Sequence, residues 1–227
     1  MFESSTLSPA ACRILPYAIY LGFLALEQLT ATFGPAQLIG FDQRWLYPAK
    51  AFAVAIALVW LWPRYAELHA PPRWSSVPLA LIAGIVVWVL WINLDHGWVS
   101  MGEPHGFDPR GSDGHIVAVL AISRLLGAMF VVPVMEELFW RSFIMRWIFK
   151  PDFLSLPPAS VRFLPFAVAA VFFGIQHHQW LAGIIAGVIY GILYMRSSNL
   201  WLPTIAHAVT NGALGAYVLM SGQWRFW

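Results

Sequence analysis

The sequence predicts an all-α fold, a polytopic integral membrane bundle of about eight helices, and three observations support this prediction. Of the 227 residues, 59% are hydrophobic and only 11% are charged, whereas soluble domains carry about 25% charged residues. The mean hydropathy is +0.67. The hydrophobic residues also fall into segments of roughly 17 to 20 residues, the length that a helix needs to cross a bilayer.

Eight segments have the composition of membrane-embedded helices. They lie at 14–33, 46–62, 77–94, 116–132, 134–149, 163–178, 180–196 and 201–220. The polar loops between them are too short to form another domain. We therefore predict a single integral membrane domain over residues 1–227, with a motif-bearing core at 116–220.

The fourth and fifth segments are separated only by Pro133. They therefore form either one long kinked helix or two half-helices. Proline lacks the backbone N–H and suits the first position of a new helix. We expect a break at Pro133, with Glu136 and Glu137 in the first turn of the segment that follows.

Composition also bears on partners and location. The net charge of +2 is small and the basic residues are dispersed, so we predict no nucleic-acid partner. Thirteen tryptophans are typical of a chain that lies at the membrane–water interface, so we predict membrane lipid as a partner. The single cysteine, Cys12, excludes an intrachain disulfide. Because the first residues carry Glu3 and lack a basic start, we expect no cleavable signal peptide.

Ionisable side chains inside the hydrophobic segments are candidate functional residues, because a charge is costly within a bilayer. Together with one carboxamide, they are Glu27, Arg124, Glu136, Glu137, Arg141, His177, His178, His207 and Asn211. Glu27 and Arg124 lie apart from the others, and we expect them to pair across helices in a structural role.

The stretch VVPVMEELFWRSFIMRW holds two adjacent glutamates and two arginines in an apolar context. Glu137 and Arg141 are four residues apart with the acid first, which favours an ion pair on one helical face. Glu136 points about 100° away from Glu137 and has no obvious cation on its own helix. We therefore expect a structural role for Glu137 and a general-base role for Glu136. In the alternative interpretation, these charges lie at the membrane interface.

Two further stretches place polar side chains on single helical faces. FFGIQHHQW puts Phe173 and His177 four residues apart, and LPTIAHAVTNGALGAY does the same for His207 and Asn211. Each stretch has a structural alternative, since polar residues also join helices inside membranes. The glycines of AGIIAGVIYG, between the two stretches, predict close packing of neighbouring helices.

Together the three stretches offer the groups of a hydrolytic centre. Glu136 would take a proton from a water molecule with the help of His177, and His207 and Asn211 would stabilise the oxyanion. No serine or cysteine stands in a setting that favours a covalent intermediate. A zinc peptidase that uses the same residues is an alternative, since a glutamate and two histidines form a known zinc set. Because the helical HExxH arrangement is absent, we predict no metal or other cofactor.

The order of the motifs resembles that of the CAAX protease and bacteriocin-processing (Abi) family, which includes the Ras-converting CAAX prenyl endopeptidases. The resemblance rests on EExxxR at Glu136, Glu137 and Arg141, FxxxH at Phe173 and His177, and HxxxN at His207 and Asn211. It implies an eight-helix intramembrane glutamate-type protease that activates water with Glu136 and His177. It also implies that His207 and Asn211 hold the oxyanion. Glu137, Arg141 and Phe173 would then support the catalytic residues.

The resemblance also bears on substrate and location. It implies a peptide or lipidated-protein substrate, cut near the membrane surface. The short chain and its many tryptophans are similar to bacterial members found beside exosortase-type sorting systems, which implies a multi-pass protein of the bacterial inner membrane. Gln176 stands where many members have a small residue, which implies a different pocket shape. The alternative to a protease is a scaffold or immunity factor whose polar core only holds helices together.

Overall fold

The computed structural model describes residues 7–34, 40–102 and 106–227. Within these ranges the chain forms helices and no strand, so the predicted all-α fold is confirmed. Seven of the helices are long. They are α1 (Pro9–Phe33), α2 (Leu46–Leu61), α3 (Val77–Asn93), α4 (Ala118–Trp147), α5 (Phe163–Ile175), α6 (Trp180–Ser197) and α7 (Trp201–Ser221). A single turn of helix, Ala66–His69, lies between α2 and α3.

The bundle is an integral membrane structure. Five helical stretches are long and apolar enough to cross a bilayer, and they are Pro9–Thr32, Gln43–Arg64, Trp74–Asn93, Ala118–Trp147 and Trp180–Ser197. Their outward faces carry large exposed apolar side chains, such as Phe52, Val59 and Ile82. Such faces are stable against lipid and unfavourable against water. The α5 helix is also apolar but has only 13 residues, so it is shorter than a full span.

The predicted fourth and fifth segments form one continuous helix, α4, so the expected break at Pro133 was wrong. The helix passes the proline by widening: π-helical turns at Gly127–Val131 and Glu137–Ile144 flank the α-helical turn Val132–Glu136. Such local adjustments re-satisfy the backbone groups that a proline leaves unpaired in a membrane helix. Widened turns of this kind are rare and often mark functional positions.

Small residues allow α5 and α6 to approach closely. A Cβ atom added to Gly187 would lie 3.0 Å from Ala170 Cα, and one added to Gly183 would lie 2.9 Å from Gly174 Cα. Both separations are shorter than ordinary van der Waals contact, so a larger residue would push the helices apart. This is the close packing that the glycine stripe predicts.

The α7 helix is held against α3 by a polar contact and a close approach. The Thr210 hydroxyl donates to the Gly84 carbonyl at 2.8 Å and lies 2.7 Å from the Tyr190 hydroxyl. A Cβ atom added to Gly84 would lie 2.7 Å from Val209 Cβ. The position of α7 along α3 is therefore fixed at the level of its polar residues.

A charged cluster at one end of the bundle ties α1 and the loop after α2 to α4. Arg13 donates to Glu67 from Nε at 3.0 Å and from Nη2 at 2.5 Å. The Ser142 hydroxyl also donates to Glu67, and Arg146 donates to Ser142 Oγ at 2.8 Å. Burial raises the pKa of Glu67, but the hydrogen bonds from Arg13 outweigh it, so this pKa lies below its ordinary value.

Candidate active site

A cavity of about 180 Å³ lies inside the bundle, and each of the seven long helices contributes to its wall. The four residues predicted to be catalytic all line it. They are Glu136 on α4, His177 just after α5, and His207 and Asn211 on α7. Phe173 on α5 lines it as well. Three helical stretches that are remote in sequence therefore bring their polar faces to one space.

Glu136 is buried at the wall of this cavity and is 6% exposed. Its Oε2 atom lies 3.8 Å from His207 Nε2, which is longer than a hydrogen bond. Among the described residues, this oxygen has no hydrogen-bond partner. The carboxylate is thus next to an imidazole and lines the cavity, and one of its oxygens is not satisfied by any described residue.

Glu137 is completely buried behind Glu136. One of its oxygens lies 3.1 Å from Arg141 Nε, which is the ion pair that the spacing of four residues predicts. Its other oxygen lies 3.0 Å from His207 Nδ1. Glu137 therefore joins the arginine of its own helix to the imidazole of α7.

The carboxylate of Glu137 fixes the orientation of the His207 ring. With Nδ1 directed at Glu137, Nε2 faces Glu136 and the cavity. The ring also stacks on Tyr190, with centroids 5.1 Å apart and planes at 23°. Phe173 meets it edge-on at 5.9 Å. His207 is consequently held by one charged contact and two aromatic contacts.

His177 is held in a similar way by the end of α5. Its Nδ1 donates to the Phe173 carbonyl at 2.8 Å, because a carbonyl oxygen can only accept. The other ring nitrogen, Nε2, therefore carries a lone pair when the ring is neutral. The ring packs edge-on against Trp91 with centroids 5.2 Å apart. Of the two adjacent histidines, His177 lines this cavity, whereas His178 lines a separate small pocket.

Asn211 connects α7 to the first widened turn of α4. Its Nδ2 donates to the Ala128 carbonyl at 2.8 Å, and Ala128 lies in the π-helical turn Gly127–Val131. A carboxamide nitrogen carries two N–H groups. One of them is used here, and the second remains for a ligand.

Phe173 lies under the guanidinium of Arg141. The Arg141 Cζ atom is 4.1 Å from the centre of the Phe173 ring, a favourable cation–π distance. The same ring touches both imidazoles, of His177 and of His207. Phe173 therefore packs against three polar side chains of the site, those of Arg141, His177 and His207.

The structure corrects the expected pairing of Glu27 with Arg124. Glu27 instead forms an ion pair with Lys50 Nζ at 3.0 Å, because α1 packs along α2. Arg124 lies over the Tyr47 ring, with Cζ 4.2 Å from the ring centre. It also lines the cavity.

The sequence interpretation did not identify several other wall residues. They include Tyr20, Tyr47, Trp91, Tyr190, Phe226 and Trp227. Aromatic side chains in apolar helices follow the same pattern whether they face a core, lipid or a cavity. Two of them, Phe226 and Trp227, follow α7, where no motif marks them.

The predicted absence of a metal can be compared with the arrangement of possible ligands. In the parts of the chain that the structure describes, no three side chains of His, Cys, Asp or Glu are placed to hold a metal ion. Glu136, Glu137 and His207 lie near one another, but Glu137 already binds both Arg141 and His207. A chelation experiment can test the zinc alternative.

One family model matches the segment that carries this site. It is described as Rce1-like, type II CAAX prenyl endopeptidase Rce1-like, and it matches residues 118–213. All seven predicted site residues lie within the matched segment, which begins with α4 and ends inside α7. No curated protein and no solved structure matches the chain.

Proposed function

We propose that this protein is an intramembrane endopeptidase of the Rce1-like CAAX protease family, whose model matches residues 118–213, and that it hydrolyses a peptide bond with an activated water. The observation that carries the proposal is the position of Glu136. It is a buried carboxylate beside an imidazole, with one oxygen that has no hydrogen-bond partner among the described residues. Buried polar groups in a purely structural core are normally paired.

The first step of the proposed reaction is activation of water. Glu136 takes a proton from a water molecule in the cavity, and the lone pair on His177 Nε2 accepts a hydrogen bond from the same water. The water oxygen attacks the carbonyl carbon of the substrate. A C–O bond forms, and the electron pair of the C=O bond moves to the oxygen.

His207 and Asn211 then stabilise the oxyanion. Because His207 Nδ1 faces Glu137, its Nε2 can donate only when the ring is doubly protonated, and the carboxylate of Glu137 supplies the counter-charge. The second N–H of Asn211 provides the other donor. Each such donor lowers the barrier by about 3–4 kcal/mol in known hydrolases.

Collapse of the tetrahedral intermediate completes the hydrolysis. The C–N bond breaks, and the proton held by Glu136 passes to the leaving amine. The products are one new carboxyl terminus and one new amino terminus. Burial of the site within the bundle keeps bulk water out and strengthens these electrostatic interactions.

The substrate proposed for this reaction is a peptide or a lipidated protein close to the membrane surface. The cavity wall includes Trp91, Phe226 and Trp227, aromatic side chains that suit a membrane-adjacent chain. No nucleic-acid partner and no cofactor are part of the proposal. The proposed location is the bacterial inner membrane.

Comparative analysis of peptide termini tests the proposal. Cells that produce the unmodified protein should contain new termini that are missing in cells with Glu136→Gln. Asp152→Asn is the matched control, because it makes the same carboxylate-to-amide change in an exposed loop, and it should keep the termini.

Two results would reject parts of the proposal. If Glu136→Gln produces the same termini as the unmodified protein, Glu136 is not the base. If the unmodified protein produces no new termini while it is inserted in the membrane, the polar core is structural and the scaffold alternative is correct.

A further inference from the structure

Arg124 is the cation of the cavity wall that lacks a counter-charge among the described residues. It belongs to α4, within the membrane-spanning stretch Ala118–Trp147, and it is half-buried. Its Cζ atom lies 4.2 Å from the centre of the Tyr47 ring and 5.3 Å from that of Phe107. Its Nε atom is buried and has no hydrogen-bond partner in the described parts of the chain.

The other buried cations of the interior are paired. Lys50 bonds to Glu27, Arg141 to Glu137, and both Arg13 and Arg146 to Glu67. An unpaired charge in a membrane-embedded segment is expensive and points to a ligand or a transport function. Arg124 therefore calls for an anion that the described residues do not supply.

We propose that Arg124 binds a carboxylate of the peptide substrate, at the end of the cavity away from Glu136. This inference rests on the proposed proteolytic function. A guanidinium presents parallel N–H groups that match the two oxygens of a carboxylate. The rings of Tyr47 and Phe107 pack against the guanidinium, and Arg124 lines the cavity, so its N–H groups are the part that would bind a ligand there.

The positions along α4 set the length of the peptide that this arrangement accepts. Arg124 and Glu136 are twelve residues apart on one continuous helix. At a rise of about 1.5 Å per residue, the two positions are at most about 18 Å apart. An extended peptide covers about 3.3–3.6 Å per residue. The carboxylate therefore lies no more than about five residues from the bond that is cut.

A peptide carboxylate fits this site better than a lipid phosphate does. Arg124 shares its cavity with Glu136, His177 and His207, so whatever binds there also reaches the reactive groups. The cavity of about 180 Å³ is small compared with the roughly 300–1,000 Å³ of common ligand pockets. A cavity of this size is too small to hold a whole phospholipid.

Binding of two peptide mixtures tests the inference without any cleavage. The full-length Glu136→Gln protein is placed in phosphatidylcholine nanodiscs. The probes are a degenerate hexapeptide mixture with free C-terminal carboxylates and the same mixture with amidated C-termini. We expect the free acids to bind about tenfold more tightly or better, the effect of one charge-assisted contact.

Substitutions of Arg124 test whether this residue causes the preference for the free acid. Arg124→Gln, in the same Glu136→Gln background, should abolish the preference for the acid and leave binding of the amide unchanged. Arg124→Lys should keep part of the preference. Arg162→Gln is the matched control, because Arg162 also lies over an aromatic ring, that of Phe149, but does not line the cavity. It should keep the full preference.

Three results would overturn the inference. Equal binding of the acid and the amide by protein that keeps Arg124 would overturn it, and this result does not depend on whether an Arg124 variant folds. A preference that survives Arg124→Gln would assign the carboxylate to another residue. Loss of the preference when phosphatidylglycerol is added to the nanodiscs, with binding of the amide unchanged, would mean that an anionic lipid headgroup occupies Arg124. None of these results depends on turnover, so they are distinct from failure of the proposed proteolysis.

Discussion

Glu137 Oε1 lies 3.0 Å from His207 Nδ1, although the two residues are 70 positions apart in the chain. This contact joins α4 to α7 at the level of the cavity. It makes Glu137 the residue that sets which nitrogen of His207 faces Glu136. The two adjacent glutamates thus have different surroundings. Glu137 is paired with Arg141 and His207, whereas one oxygen of Glu136 has no hydrogen-bond partner among the described residues.

Replacement of Glu137 should impair turnover more than binding. Glu137→Gln removes the charge that supports a doubly protonated His207, so we expect kcat to fall by about 10²-fold or more, with KM little changed. Steady-state cleavage of an identified substrate measures both constants. Arg141→Met is the comparison, since it leaves the Glu137–His207 contact in place. If Glu137→Gln raised KM alone, the contact would serve binding rather than catalysis.

Replacement of Glu136 should separate activity from stability. Its Oε2 atom lacks a hydrogen-bond partner among the described residues, so Glu136→Gln removes a poorly compensated buried charge. We expect cleavage to be lost while the thermal midpoint in detergent stays the same or rises, as is common at active sites. A fall in stability of more than about 1 kcal/mol would indicate that the carboxylate has a structural partner.

Asn211 is expected to serve both the site and the fold. Asn211→Ala removes a proposed oxyanion donor and should lower kcat by about 10²- to 10³-fold. It also removes the bond to the Ala128 carbonyl, which should cost about 1 kcal/mol of unfolding free energy. Asn211→Asp should be more destabilising, because a carboxylate would face that carbonyl oxygen. Equal stability of the Ala and Asp variants would contradict the observed hydrogen bond.

The Glu67 cluster predicts a pH dependence of stability. The pKa of Glu67 is lower in the folded protein than its ordinary value. Its contribution should therefore be complete above the unfolded pKa, about 4.3, and should disappear as the pH falls through the lower, folded value. Unfolding of the unmodified protein and of Glu67→Gln, compared between pH 3 and pH 8, measures it. The difference should be constant above about pH 5 and shrink in acid; a difference that grew in acid would reverse the sign.

Removal of metal ions should leave activity unchanged under the proposed mechanism. In the described ranges, no three suitable side chains are placed as metal ligands, and the proposed base acts on water directly. Cleavage should persist after dialysis against a strong chelator, and metal analysis of the active protein should find less than one zinc per chain. Loss of activity on chelation that zinc alone restores would favour the zinc peptidase.

Local spacing explains which parts of the site could be predicted. Glu137 with Arg141, Phe173 with His177, and the polar pair of α7 are each four residues apart, and a helix places such residues on one face whatever surrounds it. The all-α membrane fold follows from hydropathy for a similar reason, because a spanning segment must satisfy its own backbone.

Contacts between distant segments explain what could not be predicted. Glu27 pairs with Lys50 rather than Arg124 because α1 packs along α2, which no local pattern encodes. The aromatic wall of the cavity has the composition of any buried face. Pro133 was expected to end a helix, and the widening of α4 that accommodates it depends on the surrounding bundle rather than on a sequence signal.

The widened turn Gly127–Val131 has a consequence for how the chain tolerates change in length. Such a turn accommodates one residue more than the ordinary 3.6-residue repeat. Deletion of a single residue there would restore that repeat and leave the direction of the downstream side chains nearly unchanged, because the wide turn already contains the extra residue. Deletion from an ordinary turn of α4 would instead rotate everything downstream by about 100° and carry Glu136 and Glu137 out of the interior toward hydrocarbon. The widened turn should therefore tolerate the loss of one residue better than the ordinary turns of α4 before the two glutamates, although the carbonyl that Asn211 binds lies within it.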